Sequence, residues 1–284
     1  MALLNKKQKE PERIPSALNT KMLNYKVYYM KPKEKIITTL VLVALGGIIG
    51  LVFYGGLFLN EDGQATFATF VSNIVVFSVV GLITNLFVTP LREKSLVEKR
   101  QDELSRQFRS FLDALSVSLS SGMNTRESLS NAYNDLKVEY GEDSHICDEV
   151  REMISGLDNN IPLEDMIEFF GERSGIDDIA SFGMVFKVCY RVGGNLKDVV
   201  RRTNDIIGEK MEINEEIKTA LSSNKTQFSA MMVIPVVMVL MLRFMSSDFA
   251  KSFATSAGVI AMTIAIAIFF AAYLIGNKIM DIKG

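Results

Sequence analysis

The chain holds one histidine and two cysteines, so any catalytic reading has to start from His145, Cys147 and Cys189. His145 lies close to Asp143 and Asp148, a setting in which an imidazole can move protons or accept a phosphoryl group. A phosphoryl acceptor needs a nucleotide-binding partner, and no ATP-binding domain follows it in the sequence. A solvated surface histidine is the reading that remains. Cys147 and Cys189 are too far apart in sequence for a C-x-x-C metal or redox pair. In a reducing cytoplasm they read as small packing residues, and two cysteines make no disulfide scaffold. No nucleophile elbow supports a Ser–His–Asp set. Nucleotide hydrolysis would need a phosphate-cradling G-x-x-x-x-G-K-S/T loop, which Gly193-Gly194-Asn195-Leu196-Lys197 does not supply. The expectation is a protein without enzymatic activity, cofactor or metal.

The elements that carry these residues follow from charge and hydropathy. Of 284 residues 48% are hydrophobic and 23% charged, with a mean hydropathy of +0.20. The charges are segregated, because long uncharged blocks flank a charge-dense middle. A helix needs about 20 apolar residues to cross a bilayer. Ile36–Leu59, Ala65–Thr89, Thr226–Met245 and Thr255–Ile275 each supply such a stretch. The first is too long, and begins too far into the chain, to be a cleaved signal peptide. Gly46 and Gly50 form a GxxxG pair suited to close helix approach in lipid. Asn73 and Asn85 are placed to bond across helices or to line a polar path. Pro235 is tolerable inside a membrane helix, and Arg243 can snorkel to the interface.

Basic residues set the orientation. Lys31, Lys33, Lys35, Arg92, Lys94, Lys99, Arg100, Lys218, Lys225, Lys278 and Lys283 flank the spans on one side. The short connectors carry only Glu61, Asp62, Asp248 and Lys251. Both termini and the middle domain are therefore expected in the cytoplasm, with the protein multi-pass in the cell inner membrane. Residues 1–35 hold nine Lys/Arg and three Asp/Glu, a basic arm able to lie against anionic lipid. Residues 91–226 hold eighteen basic and twenty-six acidic residues, which argues against nucleic acid as a partner.

The middle reads as all-α. Leu104, Phe108, Phe111, Leu112, Leu115 and Leu119 share one helix face. Ile179, Phe182, Val185, Phe186 and Cys189 share another, and Leu196, Val199, Thr203, Ile206, Met211, Ile217 and Leu221 a third. Gly122 to Leu129 aligns with Gly193 to Val200, and Asn160 to Ile167 is a looser third copy. Each copy is a helix corner. Asn124 and Asn195 are N-caps, with Glu127 and Asp198 three residues on. Pro162 suits a first helical position, and the glycines can close the preceding helix in a left-handed conformation. Six bundle helices are predicted: 101–121, 124–139, 144–157, 162–173, 176–192 and 195–224. The last has no breaker before the third span. The domains are then a basic arm at 1–35, a membrane hairpin at 36–90, a helical domain at 91–225, a second hairpin at 226–276 and a tail at 277–284.

Taken in order, these motifs resemble a known family. The leucine face is followed by Ser121-Gly122-Met123-Asn124, then Gly193-Gly194-Asn195-Leu196-Lys197-Asp198-Val199. A polar helix then flows into Lys225-Thr226-Gln227-Phe228-Ser229-Ala230-Met231-Met232-Val233-Ile234-Pro235. Over about residues 100–280 this pattern resembles the type II secretion F domain. Two spans, one domain and two spans resemble its TadB/TadC branch, the inner-membrane platform proteins of tight-adherence (Flp-type) pili. The resemblance implies a platform without chemistry that couples a hexameric secretion ATPase to pilin subunits leaving the membrane, as a homo- or hetero-oligomer with a sister platform protein. It carries Gly122, Gly194, Asn195 and Leu196 over as corner residues. A small polytopic transporter or channel is the competing expectation.

Overall fold

The computed structural model describes residues 10–58, 65–245, 252–253 and 255–280, without the side chains of Ser223, Arg243, Phe244, Asn277 and Met280. Lys6, Lys7 and Lys9, the connector charges Glu61, Asp62, Asp248 and Lys251, Lys283 and the Arg243 side chain lie outside these. A short hairpin, β1 (Arg13–Pro15) and β2 (Lys21–Leu23), precedes eight helices among the described residues. They are α1 (Pro32–Tyr54), α2 (Phe67–Ser120), α3 (Thr125–Tyr140), α4 (His145–Asp158), α5 (Leu163–Ser174), α6 (Asp177–Val192), α7 (Leu196–Met245) and α8 (Ser256–Met280). The fold is all-α, and α1, α2, α7 and α8 each contain a stretch long and apolar enough to cross a membrane. The chain divides into two compact units, one of residues 1–29 with 93–212 and one of 30–92 with 213–284.

The first unit is a helical bundle. Leu104, Phe108, Phe111, Leu112 and Leu115 of α2 are buried, together with Phe170 of α5 and Phe182 and Phe186 of α6. Phe108 sits edge-on to Phe170 and to Phe182, with ring centroids 6.1 and 5.5 Å apart, an orientation the ring quadrupoles favour. Val185 and Ile206, counted on apolar stripes in the sequence, face outward. Ile207 and Val200 take the inward positions instead. The rest of the α7 stripe holds where it meets the core, since Leu196, Val199 and Met211 pack against it.

Two boundaries differ from the sequence reading. The first bundle helix does not begin afresh near 101, because α2 runs unbroken from Phe67 to Ser120 through Pro90. Part of the amino-terminal arm is also ordered against the bundle. Glu10–Tyr29 packs on the bundle, with Arg13 opposite Leu23 and Ile14 opposite Met22 in its hairpin. Its turn is closed by Ser16 N–H to Thr20 O at 2.9 Å. The polar, proline-containing run 10–24 has no helical period, and only its contacts to α4 and α5 order it.

The second unit inverts the bundle's pattern. Ile36, Leu40, Leu45, Phe70, Ile74 and Leu82 point outward, which suits hydrocarbon. Glycines line the α1–α2 contact. A Cβ on Gly46 would fall 2.4 Å from Thr84 Oγ1, one on Gly47 2.4 Å from Phe77, and one on Gly50 2.9 Å from Val80. In the other direction, Gly81 faces the Val43 carbonyl. The hairpin end is tied by polar groups of α2 and the residue before it. Thr66 and Thr69 donate to Phe58 O at 2.7 and 2.8 Å, and Gly56 N–H donates to Asn73 Oδ1 at 3.1 Å. Lipid offers backbone groups no partner, so such closures carry the hairpin's end. Asn85 instead accepts from Thr89 Oγ1, one turn along the same helix. In the second hairpin Phe228 stacks on Tyr273 and closes over Gly276. Pro235 is housed within α7, which continues to Met245.

Candidate functional site

Three helix corners gather at one end of the bundle. They join α2 to α3, α4 to α5 and α6 to α7, the three segments that align in sequence. At the first, Gly122 adopts φ +82° and Asn124 Oδ1 accepts from Glu127 N–H at 2.9 Å. That bond satisfies one orphan donor of α3, and the Glu127 charge complements the helix dipole. At the third, Gly193 adopts φ +75°, and Gly194 N–H donates to Cys189 O at 2.8 Å. A Cβ on Gly194 would fall 2.6 Å from Cys189 Sγ, so a larger residue there would have to turn the Cys189 side chain aside. The cap chemistry here differs from that at Asn124. Asn195 Nδ2 donates to Asp198 Oδ2 at 2.7 Å, while Asn195 O accepts from Val199 N–H. Leu196 is half-buried against the core.

Pro162 occupies the cap position of α5 rather than its first helical position. The reason lies one turn earlier. Asn160 takes a left-handed φ of +60°, and Ile161 N–H folds back to Gly156 O at 2.9 Å, so the turn consumes one residue more than a direct cap would.

Ion pairs stitch the corners to one another. Arg126 of α3 holds Asp158, at the end of α4, through two bonds of 2.7 and 2.9 Å. Arg191, at the end of α6, reaches Asp165 at 3.3 Å and Glu164 at 3.6 Å, at the start of α5. The Arg126–Asp158 and Arg191–Asp165 pairs are solvent-exposed, so they set geometry more than they add stability, while Glu164 is buried. Because helices alternate in direction, the corners lie at the end of the bundle away from Glu93 and Glu212, where the chain enters and leaves it.

A second feature lies under the amino-terminal hairpin and escaped the sequence reading. Arg173 of α5 and Glu149 of α4 are 3% and 2% exposed and form a bidentate pair at 2.6 and 3.1 Å. Tyr25 donates to Glu149 Oε1 at 3.0 Å, and Arg173 donates to Leu23 O at 2.8 Å. Arg173 also lies over the Phe169 ring at 4.3 Å. Burial pushes the Tyr25 phenol well above its ordinary range, and the Glu149 carboxylate beside it adds to that rise. Burial pushes the Glu149 carboxyl up as well, while Arg173 pulls it down. Outside this cluster, Ser16 and Thr20 both bond Glu152. The sequence did hold a signal. Glu149 falls on the stripe Ile146, Val150, Met153, and Arg173 follows Met166, Ile167 and Phe170 on theirs. A charge on a core face demands a buried partner.

His145 departs from the solvated residue expected of it. It is half-buried, edge-on to Tyr25 with centroids 5.4 Å apart. Burial lowers its pKa, Glu103 and Asp148 oppose that shift, and Arg100 reinforces it. Cys147 is buried and Cys189 half-buried, both as free thiols. Among the described residues no three His, Cys, Asp or Glu side chains are grouped to hold a metal ion. A groove of about 620 Å³ between α2, α3 and α7 mixes Arg106 and Arg109 with Asp113, Asp135 and Glu139. Its polar groups are bonded mainly to one another. Ser110 meets Tyr140 at 2.9 Å, and Asn204 donates to Asp113 at 3.2 Å. The arrangement suits holding helices in register and presenting a polar surface.

No curated protein and no solved structure matches the chain. Residues 111–244, which run from within α2 through the three corners and almost to the end of α7, match the family model described as type II secretion system (T2SS), protein F.

Proposed function

We propose that the chain is the inner-membrane platform of a type IV-like, tight-adherence pilus or a related secretion machine. It would couple a hexameric cytoplasmic ATPase to the extrusion of pilin subunits. The observation that carries this reading is the family match over 111–244 in a chain with four apolar helices. The stitched corners are the surface proposed to meet the motor, since they form the end of the bundle remote from Glu93 and Glu212. Helix α7 supports coupling, being one uninterrupted helix from Leu196 in the bundle to Met245 in an apolar stretch. The basic flanks support cytoplasmic termini and a cytoplasmic bundle. A sister platform protein and the pilins complete the proposed partners.

The transporter reading gains nothing from the two asparagines on which it rested. Asn73 and Asn85 spend their side-chain oxygens on Gly56 and Thr89 inside the membrane unit. The test of the platform reading is to insert two glycines after Glu216. The expected outcome is loss of surface pili, with normal membrane insertion and normal co-purification of the ATPase by cross-linking from membranes. Normal piliation would rule out coupling through α7. Failure of any secretion ATPase to cross-link to the intact chain would overturn the reading itself.

A further inference from the structure

The groove between α2, α3 and α7 holds charges that the bundle itself does not use. Arg106 and Arg109 stand three apart on α2, and Asp135 and Glu139 stand four apart on α3. Either spacing puts like charges on one helix face, where they repel. All four residues are exposed. Among the described residues Arg106, Arg109 and Asp135 enter no ion pair, and Glu139 only accepts from Ser110 at 3.4 Å. Arg109 and Asp113 have the spacing of a helical ion pair, yet they are drawn apart. Asp113 is taken by Asn204 of α7, and the Arg109 guanidinium lies against Gly208, where a Cβ would fall 3.2 Å from it. Asn204 also keeps its Oδ1 buried without a donor.

A cation row on one wall and an anion row on the other select the occupant. A phosphate or a nucleotide would satisfy Arg106 and Arg109 but be repelled by Asp113, Asp135 and Glu139. A polycation meets the reverse conflict. Both walls are matched by a polypeptide segment with an acid on one flank and a base on the other. Its carboxylate would take the forked donors of the guanidinium groups. Its base would reach the carboxylates of α3, and its apolar side chains would lie over Val117 and Met211. An N–H group of the segment would supply the donor that Asn204 lacks. Opposite charge on the two walls fixes the direction in which such a segment lies. The groove meets α3 at its carboxyl end, Asp135 to Tyr140, whereas the α2–α3 corner lies at its amino end. An occupant here therefore leaves the corners free.

We infer that this groove docks a mixed-charge segment of a partner protein, its acid on Arg106 and Arg109 and its base on Asp135 and Glu139. The inference stands independently of the pilus reading. The test uses the full chain in native membranes, with photo-reactive p-benzoylphenylalanine in place of Val117, which lines the groove and is 62% exposed. Irradiation should join the chain to another polypeptide, several-fold more than the same probe at Val138, which is exposed outside the groove. The cross-linked peptide, sequenced by mass spectrometry, should carry an acid and a base within about two helical turns. Arg106→Glu with Arg109→Glu should lower the yield several-fold, whereas Arg106→Lys with Arg109→Lys should keep most of it. Changing the acid of the captured peptide to Lys should restore the yield with the Glu variant, and that rescue separates lost docking from misfolding. The inference is overturned if the probe at Val117 gives no more adduct than at Val138, or if the captured peptide lacks either charge. It is equally overturned if the adduct joins a lipid, a small molecule or a second copy of this chain, or if charge reversal leaves the yield unchanged.

Discussion

The bundle and the membrane unit are built from the same helices, since α2 and α7 run through both, yet they are held together in opposite ways. In the bundle, large side chains face inward and close around a buried charge pair under the amino-terminal hairpin. In the membrane unit, large side chains face outward, and glycines bring the helices close, as Gly46 does on Thr84 and Gly50 on Val80. Water makes burial of apolar surface the driving force in the first. Lipid removes that force in the second and leaves packing and backbone satisfaction to do its work. One helix can serve both because the solvent, rather than the backbone, decides which side chains belong inside.

The sharpest way to break this comparison is to unpair the bundle's buried charges. Arg173→Met leaves Glu149 buried without its cation and should destabilise the bundle by about 3–5 kcal/mol, read by denaturant or thermal unfolding in detergent. The double variant with Glu149→Leu should recover most of that loss. If Arg173→Met alone unfolds normally, the cluster does not hold the hairpin down. In the membrane unit the corresponding change adds bulk. Gly46→Leu should force α1 and α2 apart at a cost of roughly 1–3 kcal/mol, typical of overpacking. It should also increase the protease sensitivity of the membrane unit while the bundle's unfolding stays unchanged. Loss of both together would show that the two units are not separable.

The smallest expected effect concerns pH. His145 has a lowered pKa in the folded state, so the unfolded chain binds a proton more readily. Stability from this site is therefore complete above the unfolded histidine pKa near 6.5 and is lost progressively as pH falls below it. The groups that modulate it, Glu103, Arg100 and Asp148, lie on α2 and α4. His145→Phe should flatten the decline of bundle stability between about pH 6.5 and 5 relative to the parent chain. An identical decline in both proteins would assign the effect to other groups.

Much of the helical plan is legible because its signals are local. The apolar period of α2, the Asn124 cap and the left-handed glycines each act within one or two turns, so the order of residues alone places them. The departures share one cause. The helix expected to start at 101 is the continuation of α2, which passes through Pro90. Pro162 shifts by one position because Asn160 can adopt a left-handed conformation. Val185 and Ile206 fit a stripe on paper and face outward in space, because a stripe has an inside only once its neighbours are fixed. The hairpin at 13–23 has no helical period of its own and is ordered by α4 and α5. Tyr25, Glu149 and Arg173 lie up to 148 positions apart in the chain.

By itself, then, the sequence determined that the chain is helical, that four stretches suit lipid, that three corners repeat and that the familiar residue patterns of catalysis are missing. Those features follow from composition, period and capping, which are properties of neighbouring residues. Only the tertiary structure decided that the basic segment is strapped to the bundle over a buried ion pair. It alone gathered the three corners at one end and held the charges of α2 and α3 apart across a groove. Each of these depends on which distant side chains meet, and that is set by the packing of whole helices, where a charge finds its partner or a valine fails to find a core.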